Sequence, residues 1–381
     1  LGVVELGTFI LISLSLLWEH INMEKRKRKP LHEQVEDEPD KPLKGKLKPK
    51  LFSTGSTLLN LACSDTIDGG IAFGTITTIP GQSVGGKTLL AVTALAEVAQ
   101  NSKYDEYDLE LDDVESAFAF DVERMWGRKF NERIIMIEPT TKTIQDLKSS
   151  LILKCREGRP FIRVVDSLDA LSSDEELEKD YRNALKRMKS DDAIKELKGS
   201  YKTEKAKILG ETLREINKEL ERTGSSLILI QQERQKIGGM IPGQKTTSGG
   251  EAPYFYSFHQ IWVSRVTPIK SKGRKIGGLV RARVTKNKYT GKERDVFYDV
   301  YYDYGIDDLG SCINFLVGEK HWKKTSNGVI TAPELDLKGT TKKLIMDIEK
   351  KGLERKLKKL TGRVWKEIED SILLNRKPKY D

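Results

Sequence analysis

TTIPGQSVGGKTLLAVTAL, running from Thr77 to Leu95, decides the fold. A β-branched stretch stops at Pro80, a glycine-rich turn follows, and the chain from Lys87 onward reads as an apolar helix. The turn itself, Gly81, Gln82, Ser83, Val84, Gly85, Gly86, Lys87 and Thr88, satisfies G-x-x-x-x-G-K-[ST]. Glycines at this spacing let successive backbone N–H groups curl inward around a phosphate. The helix that opens through Leu89 adds the positive end of its dipole. Lys87 supplies a point charge for the β- and γ-phosphates, and the Thr88 hydroxyl supplies a ligand for Mg2+. The expectation is a nucleotide site between a strand and a helix.

Outward from that turn, apolar runs rich in β-formers alternate with helical patterns. Ile76–Ile79, Ala117–Phe120, Arg133–Ile137, Phe161–Val165 and Ser226–Ile230 read as buried strands. Helices fit Thr88–Gln100, Thr143–Glu157 and Lys205–Arg222. Continuous apolar strands with helical crossovers predict an α/β fold around a mostly parallel central sheet covered on both faces. After Tyr254 the strands QIWVSRV, LVRARVTKN and VFYDVYYDYG are joined by short basic turns, so the sheet is expected to continue in antiparallel sense.

A phosphate turn needs a second acidic site for magnesium. FIRVVDSLDAL (Phe161–Leu171) is an apolar strand that ends in Asp166, which fits a Walker-B carboxylate. Hydrolysis also needs a group that orients or deprotonates water. FDVE (Phe120–Glu123) places Asp121 and Glu123 at the end of another predicted core strand, where open α/β sheets bind ligands. Glu123 is the expected water-activating carboxylate; the alternative is a pair of solvent-facing charges at a strand end.

The chain has 381 residues, is 38% hydrophobic and 32% charged, and carries a net charge of +9. Such an excess favours polyanions, nucleic acid or an acidic membrane surface, or serves solubility alone. The three cysteines, Cys63, Cys155 and Cys312, form no CxxC pair or Cys/His cluster, which argues against a disulfide framework or a zinc site and suits a reducing cytoplasm. Residues 1–22 open with the almost wholly apolar Leu1–Trp18 and are followed by MEKRKRK. They are expected to lie upstream of a natural start at Met23, or else to anchor the chain in a membrane. Residues 23–50 read as a disordered basic arm, 51–335 as the core, and 336–381 as a basic helical region.

The order of these motifs resembles the RecA family of ATP-dependent DNA recombinases, particularly its phage relatives. STGSTLLNLACSD (Ser53–Asp65) resembles the family's entry into the ATPase core, and GQSVGGKT, FDVE and VVDSLDAL follow in the family's order. IQQERQKIGGMIPGQKTTSGGEAPYFY (Ile230–Tyr256) resembles the end of a core strand with the second DNA-binding loop, and RVTKNKYTG (Arg283–Gly291) a late basic strand. The likeness covers roughly residues 51–317 and implies a RecA-like P-loop core using ATP and Mg2+.

The resemblance also implies roles for matching residues. Gln232 would sense the γ-phosphate and couple it to the DNA loop. Arg234, Lys236, Ile237, Gly238, Gly239 and Met240 would begin that loop, and Lys245, Thr246, Thr247, Ser248, Gly249 and Gly250 would continue it; a surface loop without DNA contacts is the alternative. Arg214 falls near a family arginine that contacts DNA. Lys286 and Lys288 resemble a pair that reaches a neighbouring subunit's ATP, or else contact DNA or water only. Trp126 and Phe130 are candidates for stacking on adenine. The charged stretch between Ser172 and Lys205 stands at the place of the first DNA loop and offers no assignable residue.

The function implied is a DNA-dependent ATPase that forms filaments on single-stranded DNA and performs pairing and strand exchange with homologous duplex DNA. Loader or single-strand-binding proteins would be further partners. A ring-forming helicase or repair ATPase and a DNA-binding mediator scaffold are the alternatives. The place of work expected is the cytoplasm of a bacterial cell, with a phage-encoded origin as one option.

Overall fold

The computed structural model describes residues 48–189, 201–235, 245–247, 249–374 and 376–377. The expected apolar leader, most of the basic arm, the loop residues Lys236, Ile237, Gly238, Gly239 and Met240, and Ser248 lie outside the described residues. Among those described, no helix is long and apolar enough to cross a membrane.

A short ribbon of β1 (Leu51–Phe52) and β2 (Ile71–Ala72) leads into the main sheet. The sheet's first members are β3 (Ile76–Gly81), β4 (Asp108–Asp113), β5 (Ile134–Met136), β6 (Phe161–Asp166) and β7 (Ser226–Gln235). They are followed by β8 (Lys245–Thr247), β9 (His259–Ser271), β10 (Arg274–Asn287), β11 (Arg294–Tyr301) and β12 (Gly305–Asp307). The spatial order is β12-β11-β10-β9-β3-β7-β6-β4-β5, with β8 attached to β7. Strands β3, β4, β5, β6 and β7 pair in parallel, β9 joins β3 in parallel, and β9 to β12 pair antiparallel. This is the expected α/β architecture, a parallel core extended by antiparallel strands.

Helices cover both faces of the parallel half. The helix Lys87–Gln100 is apolar nearly all round and buries Leu90, Val92, Leu95 and Val98 against one face. The helix Ile144–Glu157 starts in a capping box: Thr143 Oγ1 accepts from the Asp146 N–H at 3.0 Å and Asp146 from the Thr143 N–H at 3.2 Å. It packs on the other face beside the helix Tyr201–Thr223, whose Leu209, Leu213, Ile216 and Leu220 recur at helical spacing on one side. The charged insertion expected between Ser172 and Lys205 contains the helix Asp174–Lys189 and the start of Tyr201–Thr223.

One strand assignment changes. Ala117–Phe120 is not a strand; it is a loop that follows β4, and Phe120 is exposed. The place in the sheet belongs to β4, whose sequence DLELDD hides it by alternating leucines with acids. Those acids are buried with partners: Glu110 meets Arg163 at 2.7 Å, and Asp112 accepts from the Thr141 N–H at 3.1 Å. Asp121 and Glu123 therefore do not end a core strand. Asp121 caps the short helix Val122–Trp126, and Glu123 lies in its first turn.

After β12 a third apolar cluster forms. It joins the helix Asp308–Gly318, the small sheet β13 (Lys323–Lys324), β14 (Ile330–Ala332) and β15 (Leu337–Gly339), and the helices Thr341–Lys351 and Glu354–Ser371. Ile330, Ala332, Leu337 and Leu344 share this core, so a division expected at residue 336 cuts through one packed unit.

Glu369 ties the last helix to the sheet. Its carboxylate accepts from Arg294 at 2.6 and 2.7 Å and pairs with Lys292 at 2.9 Å. Hydrogen bonds from Arg294 hold its pKa down to about 2. A depressed carboxyl stabilises the fold above its unfolded value and loses that contribution as pH falls through the folded one. Glu369→Gln is expected to cost about 2 kcal/mol at neutral pH. In urea titrations the difference from the parent chain should shrink between pH 4.5 and pH 2.

Candidate nucleotide cleft and its link to the β7–β8 hairpin

The turn between β3 and the helix Lys87–Gln100 is held close to β9. A Cβ at Gly81 would lie 2.1 Å from the Val263 carbonyl oxygen, so only glycine fits there. Gly86 sits at φ 96°, in the left-handed region that favours glycine. Val84 also sits there, at φ 58°, with a β-branched side chain that is 74% exposed. Val84→Gly removes that strain, and a net stabilisation of about 1 kcal/mol is expected after the entropy of the unfolded glycine is counted. Chemical denaturation measures it; a loss of stability would show that the valine is not strained.

Lys87 is buried, and its Nζ donates to the Gln82 carbonyl oxygen at 2.7 Å. Burial pushes its pKa down, while Asp166, Glu115, Asp169 and Glu233 pull it back up. Asp166 ends β6 as expected and accepts from the Thr88 hydroxyl at 2.5 Å. Burial raises its pKa, the Thr88 hydrogen bond opposes this, and Glu115 and Asp113 raise it further. Carboxylates crowded beside one lysine favour an added cation. Among the described residues no cluster of three or more His, Cys, Asp or Glu side chains has metal-holding geometry. Mg2+ fits this site only with Thr88 and Asp166 supplemented by phosphate oxygens and water, as is usual for this ion.

The cleft encloses about 320 Å³. Val84, Gly85, Gly86, Lys87, Thr88 and Leu89 form one wall, and Asp113, Glu115 and Asp166 face them. Phe118, Phe120, Tyr302 and Arg265 line its aromatic side. Glu123 does not line the cleft; Glu115 does, two residues beyond β4. Its Oε1 accepts from the Ser167 hydroxyl and from Gln232 Nε2, the latter at 3.1 Å. Trp126 and Phe130 are also turned away. The Trp126 indole donates to Thr93 Oγ1 at 3.0 Å, and Phe130 is fully buried in the core.

The pairing of β3 with β7 sets Gln232 opposite Gly81. Asp169, on the turn after β6, accepts from the Gln232 N–H at 2.7 Å and pairs with Arg234 at 3.3 Å. Beyond Gln232, β7 and β8 form a hairpin in which Glu233 faces Thr247, Arg234 faces Thr246 and Gln235 faces Lys245. The outer parts of the expected DNA loop are thus a paired ribbon. Gly249 (φ 83°) and Gly250 (φ 72°) turn the chain into the short helix Ala252–Tyr256. Arg214 is exposed on Tyr201–Thr223.

Lys286, at the end of β10, does not line the cleft of its own chain. Its Nζ donates to the Tyr254 and Phe255 carbonyl oxygens, at 2.8 Å for Phe255, and lies 4.7 Å from the Tyr254 ring centroid. Burial, with Lys288 nearby, lowers its pKa to about 8. Lys288 is exposed.

Glu115, Asp169, Tyr302 and Arg265 escaped the sequence reading. The signal for Glu115 was present: an acid two residues past DLELDD, a run recognisable as a strand once the acids are allowed partners inside the sheet.

Comparison with known proteins adds an independent line. The model of the RecA N-terminal domain matches residues 43–307. Protein RecA of Bartonella bacilliformis is 29% identical over 267 residues, 69% of this chain and 68% of that protein. Protein RecA of Caulobacter vibrioides is 28% identical over 271 residues, covering 71% and 69%. Protein RecA of Chlorobaculum tepidum is 28% identical over 268 residues, covering 70% of each. These relatives are bacterial, and a phage origin finds no support in them.

Proposed function

We propose, from the premise that this chain belongs to the RecA N-terminal domain family, that it is a DNA-dependent ATPase. In this reading it forms filaments on single-stranded DNA and exchanges strands with homologous duplex. The observation that carries the reading is the hydrogen bond from Gln232 to Glu115 at 3.1 Å. It joins a group inside the phosphate cleft to the first residues of the β7–β8 hairpin, so the state of one is felt by the other.

The roles follow from position. Gly81, Gln82, Ser83, Val84, Gly85 and Gly86 present backbone N–H groups to the triphosphate, and Lys87 neutralises it. Thr88 and Asp166 would hold Mg2+, which would neutralise charge on the phosphate oxygens. Glu115 orients the attacking water and accepts its proton. Phe118, Phe120 and Tyr302 offer faces for the base. Gln232 exchanges its contact with Glu115 for a γ-phosphate oxygen and so shifts the hairpin, whose Arg234, Lys245, Thr246 and Thr247, with Lys236 to Met240 and Ser248 to Gly250, meet the DNA backbone. Arg214 adds a phosphate contact at the helix surface.

The test is single-strand affinity with and without a non-hydrolysable ATP analogue. A gain with nucleotide and a steep loss with added salt are expected. Equal affinities would remove the proposal.

Lys286 and Lys288 would reach a neighbouring subunit's triphosphate, so turnover depends on assembly. In the free chain burial lowers the Lys286 pKa to about 8, and a triphosphate beside it would raise it again and hold the lysine charged. DNA-stimulated turnover is expected to fall about a hundredfold in Lys286→Ala at neutral pH, with nucleotide affinity of the unassembled chain unchanged. Full turnover in that variant would exclude Lys286 from the step.

A further inference from the structure

β11 is left with an open edge. Among the described residues β12 pairs only with Asp299, Val300 and Tyr301, so Arg294 to Tyr298 have β10 as their one strand neighbour. The Asp299 N–H points to the outer edge, where it donates to Ser311 Oγ at 3.1 Å. Residues two apart along a strand direct their main-chain groups to the same edge. The N–H and C=O of Phe297 and Asp295 therefore face outward, and among the described residues they have no partner there.

This edge opens on a cavity of about 590 Å³. The helices Asp308–Gly318 and Glu354–Ser371 form its opposite wall, and Leu58, Leu279, Phe315 and Ile368 make the lining largely apolar. Two lining carboxylates, Asp299 and Glu319, have no ion pair among the described residues, and Asp299 accepts a hydrogen bond from Asn314 Nδ2 at 3.2 Å. The Asp299 pKa is raised by burial and by Asp307, which an incoming cation would relieve. The nucleotide cleft lies elsewhere and shares none of these residues.

We propose that this groove binds an extended peptide in which apolar residues alternate with lysine or arginine, added as a strand beside Asp295 and Phe297. Five open residues at ~3.3 Å rise each accommodate about four to five peptide residues. The main chain supplies affinity through ladder hydrogen bonds, alternate side chains enter the apolar cavity, and the cationic ones meet Asp299 and Glu319. The sign of the preference is informative. The protein carries a net +9, so unspecific attraction would favour an acidic peptide instead.

The test uses the full chain and fluorescence anisotropy with a labelled ten-residue peptide alternating valine with lysine. Micromolar binding is expected. The same peptide N-methylated at every backbone amide should bind at least tenfold more weakly, because it keeps its side chains and charge but can donate no ladder hydrogen bond from either edge. A peptide alternating valine with glutamate should bind at least tenfold more weakly too. Glu319→Lys, an exposed change, should weaken the lysine peptide several-fold. No binding, equal binding of the N-methylated peptide, or a preference for the glutamate peptide would overturn the proposal. Loss of peptide binding as protein concentration rises, with a dimer in sedimentation velocity, would put a second copy in the groove and overturn it as well.

Discussion

Glu115→Gln is expected to lower the rate of ATP hydrolysis about a thousandfold, and Glu123→Gln to leave it within twofold of the parent. The two acids stand eight positions apart in sequence and differ completely in setting. Glu115 is in the cleft beside Lys87 and Asp166, with its carboxylate held by Ser167 and Gln232. Glu123 lies on the surface helix Val122–Trp126, which the cleft does not include. Glutamine keeps the size of the side chain and still bonds to Ser167, but it cannot take a proton from water. ATP affinity should therefore survive in Glu115→Gln, as equilibrium binding of a fluorescent analogue can check. A variant that fails to bind nucleotide would mean that Glu115 holds the cleft together and does not act on water. Full turnover in Glu115→Gln would place the base elsewhere.

The placement of these two residues shows where sequence patterns lose their force. The strands β3, β6 and β7 were legible because both faces of a parallel sheet are covered, which makes ITTI, VV and LILI within them apolar or β-branched runs. β4 is covered on both faces as well, yet it carries Glu110 and Asp112 inside. Arg163 and Thr141 satisfy those acids, and both partners are more than 25 positions away in the chain. No local pattern reports such pairing, whereas the AFAF run imitates a buried strand and is a loop at the mouth of the cleft. Shifting the strand by these few positions put Glu123, which lies outside the cleft, in the place where Glu115 lines it.

Other parts of the site were legible for a local reason. The phosphate turn needs glycine at fixed positions and Lys87-Thr88 at the start of a helix, requirements met within eight residues. Asp166 ends an apolar strand and could be placed from that alone. Asp169, Arg265 and Tyr302 reach the site through the tertiary fold: Asp169 by a turn after β6, the other two from the antiparallel half of the sheet. The aromatic wall had to wait for the structure because Tyr302 and Phe118 belong to elements more than 180 positions apart.

Gln232→Ala should separate nucleotide binding from DNA binding. The side chain spans from the end of β7 to Glu115, while the backbone N–H is fixed independently by Asp169 at 2.7 Å. Removing the amide leaves that anchor and the β7–β8 ladder in place, so the hairpin keeps its fold. What disappears is the one described side-chain contact between cleft and hairpin through residue 232. Coupling between two sites is a free energy of typically about 1 to 3 kcal/mol, so the gain in single-strand affinity on adding an ATP analogue should fall by about five- to a hundredfold. ATP affinity itself should change little, because the phosphate turn is untouched. Linkage requires the reverse effect as well: in the variant, single-stranded DNA should no longer tighten nucleotide binding. Asp169→Asn offers the complementary measurement, since it loosens the anchor of the hairpin but keeps the amide of Gln232. It should weaken single-strand binding with and without nucleotide, preserving the ratio. A Gln232→Ala protein that retains the full nucleotide-dependent gain would show that the signal travels by another route, through Asp169 or through the backbone of β7 where it runs beside Gly81.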